Sequence, residues 1–225
     1  MTLYKTTKEN MIKAFLFDLD GVIVDTAIYH YQAWKEMANE LGFDISEEFN
    51  ERLKGISRMD SLEVILQHGN LVLDEEKKNQ LATEKNDNYL RLVSKMSADD
   101  ILPGVSDFFK QVKKEKIKIG LGSVSKNAKM ILERIGMLDD FDAIIDGTKI
   151  SKGKPDPEVF LKGAEELGVL PSECLVFEDA VAGVASAKNA GMKAVGIGTK
   201  EVLLQADIVY KSLEGVNIHE LLGQL

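Results

Sequence analysis

Two aspartates with one residue between them, Asp18 and Asp20, follow a short apolar run and precede Gly21. The apolar residues 14–17 are typical of a buried parallel strand, and residues i and i+2 of an extended segment point to the same side about 6.6 Å apart. One such carboxylate can attack a phosphoryl group while the other transfers the proton of a hydroxyl. Two buried carboxylates also favour a cation such as Mg²⁺. Taken alone, the same residues fit an Asp-Gly turn after a strand.

The composition is that of a soluble globular protein. The 225 residues carry a net charge of -9, which disfavours nucleic acid and anionic membranes as partners. The single cysteine, Cys174, excludes an intrachain disulfide and fits the cytoplasm. No apolar run approaches the roughly 20 residues that span a bilayer. Residues 1–10 are polar and lack the apolar region of a secretory signal, so we expect a polar N-terminal extension.

The periodicity of apolar residues divides the chain into two kinds of segment. Between residues 26 and 98 it is helical, as in Trp34, Met37, Ala38 and Leu41. From Pro103 onward, helices and strands alternate. The predicted strands there are 117–121, 143–145, 175–177, 194–197 and 208–209, and the predicted helices include 127–135, 157–167, 181–190 and 212–222.

This alternation predicts an α/β fold, a doubly wound and mostly parallel sheet with helices on both faces. Because residues 14–17 belong to that sheet, the helical segment is an insertion. We expect a core domain formed by residues 11–25 and 99–225, and an all-helical cap domain formed by residues 26–98.

Three further polar segments follow predicted elements of the same sheet, where such a fold binds ligands. Residues 123–127 place small hydroxyls at a helix start, either to bind phosphate or to cap the helix. Lys152 and Lys154 precede another helix, as cations of a site or as a solvated pair. Glu178 and Asp179 end a strand, as metal ligands or as a helix cap. Their order along one sheet favours a phosphate site.

On these four segments the sequence resembles the haloacid dehalogenase superfamily of phosphotransferases. The resemblance implies that Asp18 is a nucleophile that becomes an aspartyl-phosphate and that Asp20 is the general acid and base. It also implies that Ser123 holds the transferring phosphate and that Lys154 neutralises its charge. The implied ligands of Mg²⁺ are Asp18, Glu178, Asp179 and the carbonyl oxygen of Asp20.

The helical segment resembles the cap of those superfamily members that isomerise glucose phosphates. The resemblance lies in residues 25–30, 53–58 and 85–89. It implies that Arg58 grips the distal phosphate of a sugar bisphosphate, that His30 orients Asp20, and that Thr26 lies at the hinge of the cap. The other implied substrate contacts are Trp34, Lys54, Gly55, Ser57, Lys85, Ser125, Lys126 and Asn127.

Three functional hypotheses follow. The first is a monomeric isomerase that interconverts β-D-glucose 1-phosphate and glucose 6-phosphate through β-glucose 1,6-bisphosphate. The second is a phosphatase of the same superfamily, acting on a sugar phosphate or phosphoglycolate. Lys54, Arg58 and His30 favour the first. The third is a binding protein with an inactive site. The presence of both Asp18 and Lys154 argues against this hypothesis.

Overall fold

A six-stranded parallel sheet forms the centre of the molecule. The computed structural model describes residues 11–225, so the predicted extension of residues 1–10 lies outside the described part of the chain. The strands, in chain order, are β1 (Ala14–Phe17), β2 (Lys118–Gly122), β3 (Ala143–Ile145), β4 (Cys174–Glu178), β5 (Lys193–Ile197) and β6 (Ile208–Tyr210). They lie in the spatial order β3-β2-β1-β4-β5-β6, and every neighbouring pair is parallel. The predicted α/β class is confirmed.

Helices fill both the segment between β1 and β2 and the connections that follow. The first segment holds α1 (Ala27–Glu40), α2 (Glu47–Asn50), α3 (Arg58–His68) and α4 (Glu75–Val93). The later helices are α5 (Val105–Lys114), α6 (Ala128–Arg134), α7 (Glu158–Leu167), α8 (Val181–Asn189) and α9 (Ile218–Gly223). Short 3-10 turns occupy Glu51–Leu53, Ala98–Asp100, Leu138–Asp140 and Pro171–Glu173. Among the described residues, no helix is both long and apolar enough to cross a membrane.

Strand β1 is buried on both faces, as the apolar run predicts. Phe15 and Phe17 belong to one apolar cluster, whereas Ala14 and Leu16 belong to another on the opposite face. This is the environment of a central strand in a sheet covered by helices on both sides. The ring of Phe17 stacks on that of Phe177 in β4, with 4.5 Å between centroids.

The helical segment has an apolar cluster of its own. Trp34 and Met37 of α1 pack there with Leu62 and Ile65 of α3 and with Leu81 of α4. The helical periodicity of the sequence arises from this packing. Within the segment, helix α3 begins at a cap: the side chain of Ser57 accepts a hydrogen bond from the Asp60 amide.

The predicted helix at residues 212–222 is wrong in its first half. Helix α9 begins only at Ile218. Gly215 has a φ of +73°, which is incompatible with a right-handed helix. The side chain of Asn217 then caps the helix by accepting hydrogen bonds from the amides of His219 and Glu220.

Gly104, at the start of α5, is predicted to be intolerant of a side chain. It has a φ of +86°, and a Cβ atom there would lie 2.2 Å from the backbone nitrogen of Glu214. Gly136 is the matched control, since it has a φ of +73° but no atom within 4 Å of such a Cβ. We expect Gly136→Ala to lower the free energy of unfolding by about 1 kcal/mol and Gly104→Ala by roughly 3 kcal/mol or more. Urea unfolding followed by circular dichroism measures both, and equal losses would contradict the collision.

Candidate active site

A buried ammonium group joins the ends of two neighbouring strands. Phe17 of β1 lies level with Phe177 of β4, so Asp18 follows one strand beside Glu178, the last residue of the other. The Asp18 amide donates to the carbonyl of Phe177 at 2.9 Å, which fixes this register. Lys154 Nζ donates to Asp18 Oδ1 at 2.7 Å and also to Glu178 Oε1. Burial opposes the charge of Lys154, but the two carboxylates raise its pKa above the ordinary value.

The carboxylates around Lys154 form a set of oxygen donors suited to a metal ion. Asp18, Glu178 and Asp179 each offer an oxygen, and these atoms lie within 4.8 Å of one another. Burial, followed by repulsion from Glu178 and Asp18, raises the pKa of Asp179 well above its usual range. A hard divalent cation would relieve this repulsion, so the donor set fits the metal implied by the sequence. Gly21 leaves room for Asp179, whose Oδ2 would lie 2.1 Å from a Cβ at that position.

Asp20 lies beyond the end of β1, in a loop that returns on itself through a bridge to Val24. The two aspartates therefore do not share a regular strand, although both line one large cavity. Burial, followed by the charge of Asp18, raises the pKa of Asp20 to about 8. A carboxyl group with this pKa holds a proton at neutral pH and can donate it.

His30, which the sequence predicts to orient Asp20, lies beside Lys85. Lys85 Nζ is 2.8 Å from His30 Nδ1, and a protonated Lys85 can only donate to this nitrogen, so the ring proton of a neutral imidazole would then be on Nε2. Burial, then Lys85, lowers the pKa of His30 well below its ordinary value. The imidazole stacks on Tyr89 with 4.1 Å between ring centroids, and Lys85 Nζ lies 4.4 Å from the Trp34 ring centroid. Within residues 11–225, Asp20 Oδ1 has no hydrogen-bond partner.

Thr26 and Tyr89 carry further buried oxygens near this cluster. The hydroxyl oxygens of both residues are shielded from solvent, and in the described part of the chain neither has a well-formed hydrogen bond, although the Thr26 hydroxyl lies close enough to Tyr89 to influence its pKa. Thr26 immediately precedes α1, where the chain leaves the sheet. Buried polar atoms left without partners are uncommon and concentrate at functional sites.

The hydroxyls of Ser123 and Ser125 shape the loop after β2. Ser123 Oγ accepts from the Ser125 amide, and Ser125 Oγ accepts from the Asn127 amide, each at 3.2 Å. Since both oxygens act as acceptors, their O–H protons remain available to donate to a ligand. The Gly147 amide donates to the Ser125 carbonyl at 3.1 Å and holds this loop against the next strand.

The loop that carries Lys154 is held by a residue that the sequence did not single out. Glu158 Oε2 accepts from the Ser151 amide, the Ser151 hydroxyl and the Lys152 amide, at 2.8 to 2.9 Å. Lys152 itself is exposed and pairs with Asp156 at 3.3 Å. Of the two lysines in this segment, Lys154 therefore lies at the acid cluster and Lys152 in solvent.

A cavity of about 1090 Å³ collects most of the residues proposed from the sequence. Those that line it are Asp18, Asp20, His30, Trp34, Lys54, Gly55, Ser57, Arg58, Lys85, Ser123, Ser125, Lys126, Asn127, Lys154 and Asp179. Glu178 and Thr26 are not among the residues that line the cavity. Glu178 is fully buried against Lys154, and Thr26 is buried immediately before α1. Gly55 lets the helical segment approach the core, since a Cβ there would lie 2.9 Å from Ala180 Cβ.

Tyr89 and Asn86 were missed by the sequence analysis. Tyr89 follows Lys85 by four residues on α4, so helical spacing was the signal that places it beside Lys85. Asn86 Oδ1 accepts from an Arg58 guanidinium nitrogen at 2.7 Å and from Asn127 Nδ2 at 2.9 Å. Nothing in the spacing of Asn86 distinguishes it from Asn88 in the same helix.

The parallel sheet, the aspartate loop and the buried lysine define a class of phosphoryl-transfer protein. The sequence profile of the haloacid dehalogenase-like hydrolases matches residues 12–191. The chain therefore belongs to the haloacid dehalogenase-like hydrolase family.

Individual members of this family can be compared with the chain directly. The chain is 47% identical to a β-phosphoglucomutase of Bacillus subtilis, over 92% of each chain. It is 31% identical to a phosphorylated carbohydrates phosphatase of Thermotoga maritima, over 82% of this chain and 84% of the relative. The crystal structure of a β-phosphoglucomutase from Clostridium difficile superposes with a TM-score of 0.92 and 46% identity, covering 95% of this chain and 97% of the other.

Replacing Lys85 with Met is expected to stabilise the protein near pH 7 and to lose this effect towards pH 10. Burial, and next the charge of Arg58, lowers the pKa of Lys85 from 10.5 to about 7. Between these values the unfolded chain binds one more proton, so the stability of the wild type rises with pH and the penalty of Lys85 is largest at pH 7 or below. Melting temperatures at pH 7 and pH 10 measure the change.

Lys78→Met is the control on the same helix. Hydrogen bonds that Lys78 donates to Glu63 and to Glu75 raise the pKa of Lys78, so its removal should cost stability rather than add it. A gain for Lys85→Met that is equal at pH 7 and pH 10 would contradict the buried-charge explanation.

Proposed function

We propose that the chain is a Mg²⁺-dependent β-phosphoglucomutase, an isomerase that interconverts β-D-glucose 1-phosphate and glucose 6-phosphate. The observation that carries the proposal is that a single cavity has cationic groups at two separate walls. Lys154 lies beside Asp18 at one wall, and Arg58 lies with Asn127 at another. Such a cavity suits a sugar bisphosphate, whose two phosphates need separate sites. The relatives from Bacillus subtilis and Clostridium difficile support the same assignment.

In the first half-reaction, a carboxylate oxygen of Asp18 attacks the phosphorus of the 1-phosphate of β-glucose 1,6-bisphosphate. An aspartyl-phosphate bond forms, the bond from phosphorus to the sugar oxygen breaks, and that oxygen takes the proton of Asp20. A pKa of about 8 suits Asp20 to this transfer. Lys154 keeps a positive charge beside Asp18, and the Ser123 hydroxyl is placed to donate to a phosphate oxygen.

In the second half-reaction, glucose 6-phosphate has left and the 6-hydroxyl of a new molecule of β-glucose 1-phosphate attacks the aspartyl-phosphate. Asp20 takes the proton of this hydroxyl, the bond from Asp18 to phosphorus breaks, and β-glucose 1,6-bisphosphate forms again. This bisphosphate must turn end for end before its 1-phosphate can be transferred to Asp18 in the next cycle. Arg58 and Asn127 hold the phosphate that is not reacting in each step.

Asp18, Glu178, Asp179 and the Asp20 carbonyl would hold Mg²⁺, which when bound neutralises charge on the transferring phosphoryl group.

The proposal includes residues 26–98 as a cap that closes over a core of residues 11–25 and 99–225. It is supported by the separate apolar cluster of the helical segment. Closure would keep water from the aspartyl-phosphate. We also propose a monomer with sugar phosphates as partners, since one chain supplies the whole cavity.

A coupled assay for glucose 6-phosphate tests the main proposal. β-Glucose 1-phosphate, Mg²⁺ and a bisphosphate primer should give glucose 6-phosphate in the presence of the enzyme.

A sugar-phosphate or phosphoglycolate phosphatase is the second candidate, favoured by the likeness to the phosphatase of Thermotoga maritima. Release of inorganic phosphate without glucose 6-phosphate would establish that candidate instead.

Asp18→Asn is expected to abolish the phosphoenzyme, because an amide is a poor nucleophile. Labelling with a phosphodonor such as acetyl phosphate, followed by mass spectrometry, measures this directly. Asp25→Asn is the control, since Asp25 is an exposed aspartate of the same loop. Intact labelling of the Asp18→Asn protein would place the nucleophile elsewhere.

Arg58→Ala is expected to reduce isomerisation more than the release of phosphate from small esters. Arg58 is assigned to the distal phosphate alone, which a small ester lacks. Loss of one charge-assisted contact should lower kcat/KM for isomerisation by about tenfold or more. Kinetics on β-glucose 1-phosphate and on acetyl phosphate give the two values, and equal losses would remove Arg58 from the distal site.

A further inference from the structure

One amide oxygen links the two parts of the chain that surround the large cavity. Asn86 Oδ1 accepts a hydrogen bond from Arg58 at 2.7 Å and one from Asn127 at 2.9 Å. Arg58 and Asn86 belong to helices α3 and α4 of the helical segment, whereas Asn127 precedes α6 beside the sheet. All three residues line the cavity.

The chemistry of the partners settles which way the Asn86 amide faces. A guanidinium group has donors and no acceptor, so only the oxygen of Asn86 can face Arg58. The same oxygen then faces the amide nitrogen of Asn127. Two donors, one from each side of the cavity, therefore converge on a single point before any ligand arrives.

We propose that Asn86 is a positioning residue for the distal phosphate, holding Arg58 and Asn127 at the spacing that two phosphate oxygens require. This inference rests on the proposed function and adds a residue to it. Because the donors are already ordered, less conformational freedom is lost when the phosphate binds. The contact also joins the helical segment to the core, so the distal site is complete only when the two are in contact.

The neutrality of Asn86 is central to this role. An amide oxygen holds a guanidinium group more weakly than a carboxylate does, since the hydrogen bond has only one charged partner. An incoming phosphate dianion can therefore displace Asn86 from Arg58. Arg58 is partly buried, and burial lowers its pKa from the ordinary value, so a carboxylate beside it would form a strong competing ion pair.

Asn86→Asp tests this directly, because it keeps the shape and both acceptor contacts while adding a negative charge. Asn86→Ala removes the acceptor altogether. Asn88→Ala is the matched control: Asn88 lies on the same helix and is not among the residues that line the cavity. Each variant is made in an Asp18→Asn background, so that a hexose 1,6-bisphosphate binds without turnover and its Kd can be measured by calorimetry.

We expect the Kd for the bisphosphate to rise about tenfold in Asn86→Ala and about 30-fold or more in Asn86→Asp. Asn88→Ala should change it less than twofold. With Asp18 restored, the loss in isomerisation should exceed the loss in phosphorylation by acetyl phosphate, which needs no distal site. An unchanged Kd in Asn86→Asp, or equal losses in both reactions, would overturn the inference.

The same measurements separate this inference from the proposed function. If the wild type forms no glucose 6-phosphate, the isomerase assignment fails. The bisphosphate Kd then still decides the role of Asn86, because it does not depend on turnover. A wild-type site that binds no bisphosphate at all would overturn both.

Discussion

A buried ammonium group between two carboxylates is the interaction on which the site depends. Lys154 separates Asp18 from Glu178, and all three side chains lie almost entirely out of solvent. Removing one partner of such a buried group leaves an uncompensated charge, at a cost of about 3–5 kcal/mol. Asp179 adds a third acid, and among residues 11–225 no second lysine lies at hydrogen-bond distance from it, which is why the cluster suits a divalent cation. Burying these charges lowers the stability of the fold, but it provides the groups that phosphoryl transfer requires.

The sheet brings these charges together through its register. The alignment of Phe17 with Phe177 makes Asp18 and Glu178 neighbours at the carboxyl edge. A slip of one residue would move the large rings of Phe15 and Phe17 into the cluster that now holds Ala14 and Leu16, so the packing of both apolar clusters and the acid pair depend on the same alignment. The stacked rings of the two phenylalanines therefore contribute to the geometry of the site as well as to its stability.

On the helical side of the cavity, ionisable side chains are again buried at a cost to stability. Lys85 is buried beside a neutral His30 and above Trp34, and burial lowers the pKa of both ionisable groups. Lys85, His30 and Trp34 line the cavity, so a polar ligand bound there can contact these groups, which agrees with the proposal that the helical segment closes over a sugar phosphate.

The sequence by itself determined the fold class, the strand that precedes Asp18 and the order of the four polar segments, because alternation and helical periodicity are local properties of the chain. It misplaced the start of α9, since the turn at Gly215 depends on backbone angles that apolar spacing does not encode. Only the tertiary structure decided that His30 pairs with Lys85 and that Asn86 joins Arg58 to Asn127. These contacts form between segments distant in the chain, and their geometry follows from how helices pack rather than from the identity of neighbouring residues.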